Sequence, residues 1–212
     1  QMLGGLDAAG RITPHGRALS RYPLHPRLAH MIETAGANAA VVAALLAERD
    51  PLRGVSVDLS LRIQALRDPN RFGGTVNRGA LERIKVETKR LSKRAPASKR
   101  GYSLAEQAAL AYPDRIGLRR AGDAPRFVLS GGKGAIMPLD DAMGGHRLIV
   151  ATDLDGDPRE ARIRQAVPFD ENELRALFSD QIKWQDVCLW SRREGRVLTR
   201  KQERFGALVL DD

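Results

Sequence analysis

Cysteine is almost absent. Cys188 stands alone, so no disulfide can form within the chain, and a reducing, cytoplasmic setting fits best. Aromatic residues are 5% of the 212, too few for an extended surface on which bases stack. Long hydrophobic runs are missing as well. The longest, Ala39 to Ala47, falls far short of the roughly 20 residues that cross a bilayer, so no membrane partner is expected. No secretory leader is visible. There is no Walker A loop, no acidic Walker B-type box, no His-Glu-x-x-His pair and no Ser/His/Asp set with a local signature. A catalytic centre complete within this chain is therefore not expected, nor a cofactor bound by it. The chain opens on Gln1 rather than an initiator methionine and reads as a piece of something longer.

What is present is positive charge, with 35 Lys and Arg against 26 Asp and Glu. Much of the excess of +9 sits between residues 78 and 100, where nine basic residues face only Glu82 and Glu87. At about 100° per residue, Leu81, Ile84, Thr88 and Leu91 share one narrow face. Arg78, Arg83, Lys85, Lys89, Arg90, Lys93 and Arg94 spread over the opposite one. Asn77 is placed to cap such a helix, and Pro96 ends it by about residue 94. Glu82 can pair with Lys85 and Glu87 with Arg90, which leaves the other basic residues without local partners. A plain solvated face explains part of this pattern; a surface for a polyanion, most simply RNA or DNA, explains more.

The chain before and around this helix reads as helical. Thr13 and Pro14 suit the cap and first position of a short helix, and His25-Pro26 starts another with Leu28, Ala29, Met31 and Ile32 inward. Residues 1–34 thus look like the end of a small helical or winged-helix unit. Ala37–Ala47 carries no charge and belongs in the middle of a bundle. A further helix is expected over roughly 57–67, a loop over Arg71–Thr75, and a short alanine-rich helix behind the capping box Ser103–Glu106, closed by Pro113.

From about residue 115 the texture becomes that of strands and turns. Arg126–Ser130 and Ala135–Met137 flank a glycine turn; Leu148–Ala151 and Ala161–Gln165 flank Asp155-Gly156-Asp157-Pro158; Ile182–Trp190 and Arg196–Arg204 flank Glu194-Gly195. Phe205–Leu210 is a last strand, and Asp170 with Glu173 caps one short helix. The expectation is an α+β chain: a helical bundle over 35–112, then a small antiparallel β domain over 113–212, a barrel or sandwich of OB-like kind. No internal repeat is apparent.

Three clusters resemble sites and read better as structure. His15, His25 and His30 lack cysteine neighbours and the spacing of a metal site. Ser130–Gly134 lacks the Ser/Thr and the following helix of a phosphate loop, although Lys133 at its tip can touch a phosphate backbone. Asp153–Asp157 has its glycine too early for a calcium loop and reads as a polar turn. Residues 140–180 hold ten acids against five bases, which suits a basic partner better than nucleic acid.

Four stretches carry a family likeness: Gly10–Leu19 with Pro23–His30, Ala44–Gly54, Ala109–Ile116 with Arg119-Arg120, and Val150–Gly156. In this order they resemble the C-terminal accessory region of bacterial HrpB-type DEAH-box ATP-dependent helicases. The resemblance implies the end of a winged helix, a ratchet-like bundle and an OB-like domain, set against RecA-like motor domains of the same parent chain and helping to enclose single-stranded nucleic acid. ATP and Mg2+ would belong to those absent motors, so the chain itself would be inactive and no catalytic residue carries over. The nucleic-acid-binding set is then Arg83, Lys85, Lys89, Arg90 and Lys93, with Arg78 beside them, followed by Arg115, Arg119, Arg120 and Lys133. A docking scaffold that meets an acidic surface of the motors, or of another protein, without touching nucleic acid is the other reading.

Overall fold

The computed structural model describes residues 2–98, 100–157, 159–192 and 194–212, and their side chains save those of Leu189 and Ser191. Gln1, Lys99 of the basic stretch and Pro158 of the acidic turn lie outside the described residues.

Local capping chemistry starts most of the helices. The Thr13 hydroxyl accepts from the Gly16 N–H at 3.0 Å and opens α1 (Pro14–Leu19), with Pro14 where no N–H is needed. Pro26 opens α2 (Pro26–Ala35), which buries Leu28, Ala29, Met31 and Ile32 as the periodicity requires. The uncharged run begins as a 3-10 turn over Ala37–Ala39 before becoming α3 (Ala40–Ala47), the packed centre of the bundle. Asp58 caps α4 (Leu59–Arg67). The stretch expected to be a plain loop is instead a run of 3-10 turns, Pro69–Thr75, broken at Gly73, where φ is +50°. Asn77 caps α5 (Arg78–Ser92), and the Ser103–Glu106 capping box opens α6 (Leu104–Ala111).

Five strands follow and close into a barrel in the order β1 (Ile116–Arg119), β2 (Arg126–Leu129), β3 (Gly134–Ile136), β5 (Glu160–Pro168), β4 (Leu148–Leu154). All pairs are antiparallel except β3 with β5. Phe127, Leu129, Ala135, Ile149, Ala151 and Ile163 form the core of this unit. A second capping box, Asp170 with Glu173, opens α7 (Glu171–Phe178). The last three strands do not join the barrel. β6 (Ile182–Ser191), β7 (Arg196–Phe205) and β8 (Leu208–Asp211) form a separate antiparallel sheet. The strand expected from Phe205 divides at Gly206, whose φ of +54° turns the chain, so Phe205 ends β7.

Helix α6 is buried on every side. Its alanines at 105, 108, 109 and 111 let α2, the barrel strands β4 and β5, and α7 all approach closely. One apolar core therefore runs from Leu19 through α6 to Leu210 without a break. A polar joint reinforces it. Arg62, 3% exposed, forks onto the Asp50 carboxylate with Nη2–Oδ2 at 2.7 Å, and its Nη1 donates to the carbonyls of Ser56 and Asp58. That holds the loop before α4 against the barrel, where the Ala166 N–H donates to the Val57 carbonyl at 2.9 Å. The architecture is α+β, a helical part first and then the two sheets with α7 between them.

Candidate nucleic-acid interface

Helix α5 buries Ala80, Leu81, Ile84 and Leu91 and keeps its basic residues toward solvent. Arg78, Arg83, Lys89, Arg90, Lys93 and Arg94 are exposed and Lys85 is half-buried. At about 100° per residue they fall in two strips rather than one face. The first holds Arg78, Glu82, Lys85, Lys89 and Lys93. The second holds Arg83, Glu87, Arg90 and Arg94. Val86, 67% exposed, lies between them.

The strips differ in how their charge is spent. Arg83 reaches Glu48 at the end of α3, Nε–Oε2 2.9 Å, and this hydrogen bond holds the Glu48 carboxyl below its usual range. Arg90 pairs with Glu87 at 2.9 Å and Lys85 with Glu82 at 2.8 Å. Arg78 donates to the Asn70 side-chain oxygen at 2.8 Å. Lys89 and Lys93 have no ion-pair or hydrogen-bond partner among the described residues. Exposed pairs of this kind are worth about 0–1 kcal/mol each, so a phosphate can replace the carboxylate at little cost.

The four cations placed on the β side do not form one site. Arg115 lies at the start of β1, stacked over the Tyr112 ring at 4.7 Å, in a polar groove that it shares with Glu48, Arg49, Asp50 and Asp153. Glu48 thus connects the second strip of α5 to Arg115. Lys133, half-buried, sits in the β2–β3 turn, and its charge helps hold the Asp157 carboxyl low after the N–H groups of Arg159 and Glu160. Arg119 and Arg120 are at the opposite end of β1. The Arg119 guanidinium is taken up by carbonyls, Nε to Gly144 at 2.7 Å and Nη2 to Gly122 at 3.2 Å, so it pins two loops of the barrel. Arg120 is exposed beside it.

The clusters read as structural have structural uses. The Asp155 carboxylate accepts from the N–H groups of Asp157 and Arg162, and Asp157 from those of Arg159 and Glu160, which builds the β4–β5 turn. The His15 and His30 rings meet, Nε2 to Nδ1, at 2.8 Å.

Residues missed in the sequence line a cleft of about 960 Å3 between the loop before α4 and the barrel. Arg159, Arg162 and Arg164 are exposed there. They stand in the acidic segment, which hid them. The signal was local: Arg162 and Arg164 alternate with Ala161, Ile163 and Gln165, so strand periodicity puts both arginines outside.

Comparison with known proteins bears on the whole chain. Residues 181–212 match a family model described as ATP-dependent RNA helicase HrpB, connector region. The ATP-dependent RNA helicase HrpB of Escherichia coli (strain K12) is 29% identical over 219 aligned residues, 99% of this chain and 25% of that protein. Among solved structures, the E. coli DExH-box NTPase HrpB superposes with a TM-score of 0.76 at 27% identity, covering 100% of this chain and 25% of that one. A second, titled Escherichia coli DEAH/RHA helicase HrpB, shares the fold at a TM-score of 0.74 and 24% identity over the same shares. The chain spans about a quarter of the length of these relatives. It is similar along its length to a C-terminal region of HrpB-type helicases, as its motifs imply.

Proposed function

We propose that this chain is the accessory region of an HrpB-like ATP-dependent RNA helicase and that it holds single-stranded nucleic acid for RecA-like motors in the parent protein. ATP and Mg2+ act in those motors. The five-stranded barrel, with strand order 1-2-3-5-4, is the OB-like part of the region. The single observation that carries the reading is the outer surface of α5. Lys89 and Lys93 are unpaired there among the described residues, in line with Lys85 and Arg78. Arg83, Arg90 and Arg94 form a second line of charge. Contacts are to phosphates, so affinity does not depend on sequence.

A salt series tests this. Neutralising about four phosphates of a single strand gives a slope of log affinity against log salt near −3. Reversing Lys85, Lys89 and Arg90 to Glu should sharply weaken low-salt binding of a labelled single strand by the chain. Unchanged affinity removes α5 from the interface. Negligible affinity of the unaltered chain, together with binding to separately expressed motor domains, favours the docking scaffold.

A further inference from the structure

The β6–β7 hairpin is an arm that stands clear of the rest of the fold. Strand β8 pairs only with Glu203, Arg204 and Phe205, at the base of β7. Beyond that point β6 and β7 pair with each other alone, from Gln185 with Gln202 out toward the turn at Gly195. Side chains alternate across a strand, so the register puts Trp184, Asp186, Cys188 and Trp190 on one face with Val197, Thr199 and Lys201. The Cys188 sulfur and the Thr199 hydroxyl, 3.7 Å apart, agree with that pairing. This face is uncovered: Trp184 is 49% exposed, Trp190 64% and Val197 60%.

Two indole rings on a solvent face are costly unless something covers them. The charge around them selects what. From Ile182 to Phe205 the sequence has seven Lys and Arg against three Asp and Glu. Arg196 is paired with Glu194 and Arg200 with Asp212, both at the surface. Lys183 has no partner among the described residues and, by the same alternation, stands on the opposite face of the arm. The Lys201 ammonium lies 5.9 Å from the centre of the Trp184 ring, on the same face, with Asp186 directly across from Lys201 and Glu203, which Arg175 neutralises, across from Trp184. Exposed rings on an arm of net positive charge, one of them beside a lysine, suit a flexible, unpaired polyanion with exposed bases. Six residues of strand place the two rings about 20 Å apart along the arm.

We propose that this arm is a second contact for single-stranded nucleic acid, separate from α5, on which bases stack against Trp184 and Trp190 while Lys201, on the same face, meets a phosphate. It shares the class of ligand with the proposed function and does not depend on α5.

These are the only two tryptophans in the chain, so intrinsic fluorescence reports on the arm alone. The full chain is titrated with a short oligouridylate at low salt, and binding is followed in parallel by anisotropy of a labelled strand. Saturable quenching of the tryptophan emission is expected, and it should persist in the Lys85, Lys89 and Arg90 reversal variant. Trp184→Ala and Trp190→Ala should each lower affinity roughly fivefold to a hundredfold, with Trp184→Phe close to the parent. Circular dichroism of each variant should match the parent, because the rings are exposed. An anisotropy change with unaltered emission overturns the arm and leaves α5 standing. Alanine variants that bind like the parent overturn it as well. Emission of the free chain that acrylamide cannot quench means that protein covers this face, and that also overturns the proposal. No binding by either readout overturns both contacts.

Discussion

The carboxylate of Asp141, between strands of the barrel, accepts the Val57 N–H of the bundle's loop at 2.8 Å. The same carboxylate takes the Ser56 hydroxyl at 2.8 Å and the Met143 N–H at 3.0 Å. Burial opposes its charge. The Met143 and Val57 N–H groups, the Ser56 hydroxyl and the Arg62 charge outweigh that and hold the carboxyl below its usual range. One acid thus ties the two halves at a point 84 residues distant in sequence. Asp141→Ala leaves those donors unmatched and is expected to cost about 2–3 kcal/mol, read as a lower urea midpoint. A midpoint within error of the parent would show the tie to be idle.

His30 makes stability depend on mild acid. Burial, then the neighbouring His15, pushes its pKa down to about 4 from an ordinary 6.5. The unfolded chain therefore takes up a proton that the folded chain refuses. Stability is complete above pH 6.5, declines as pH falls toward 4 and is level below that, a loss on the order of 3 kcal/mol at most. Thermal melts between pH 7 and 4 should show the decline, and His30→Gln should flatten it. An equally steep decline in the variant would place the titration elsewhere.

Lys89 and Lys93 can be separated from Arg119 by the salt slope. Every phosphate of a single strand that the protein no longer neutralises makes the slope shallower by about 0.7, so Lys89→Glu with Lys93→Glu should reduce it by about 1.4. Arg119→Gln should leave the slope alone and lower the melting temperature, because its guanidinium binds the Gly144 and Gly122 carbonyls. The opposite pattern would move the interface to the far end of β1.

Gly206 permits the last sheet to sit on the barrel. A Cβ at this position would lie 2.4 Å from the Ser130 carbonyl oxygen, and φ is +54°. The same carbonyl accepts the Ala207 N–H at 2.9 Å. Gly206→Ala is expected to cost on the order of 3 kcal/mol from strain and displacement together. Full stability in a denaturant titration would mean that the turn relaxes freely.

What could be read from the sequence was short-ranged. Thr13, Asn77, Ser103 and Asp170 cap the helices they precede because a cap needs only the next three residues. The inner face of α5 follows from its period alone. What escaped depends on partners far along the chain. β1 is four residues with a glycine inside, and it is a strand because β2 and β4 pair with it. That β6 to β8 leave the barrel is decided by pairing, not by propensity. Glu48 meets Arg83 across 35 residues, which no local count of charge reveals. Composition was right that aromatics are few, but it could not say that both tryptophans stand in solvent on one face.

The burial of α6 has a mechanical consequence. A helix clasped on all sides leaves no hinge between the bundle before it and the barrel after it. A pull on either half is delivered whole to the other, so the region moves as one lever, and the slender β6–β7 arm is the part of it left free to bend.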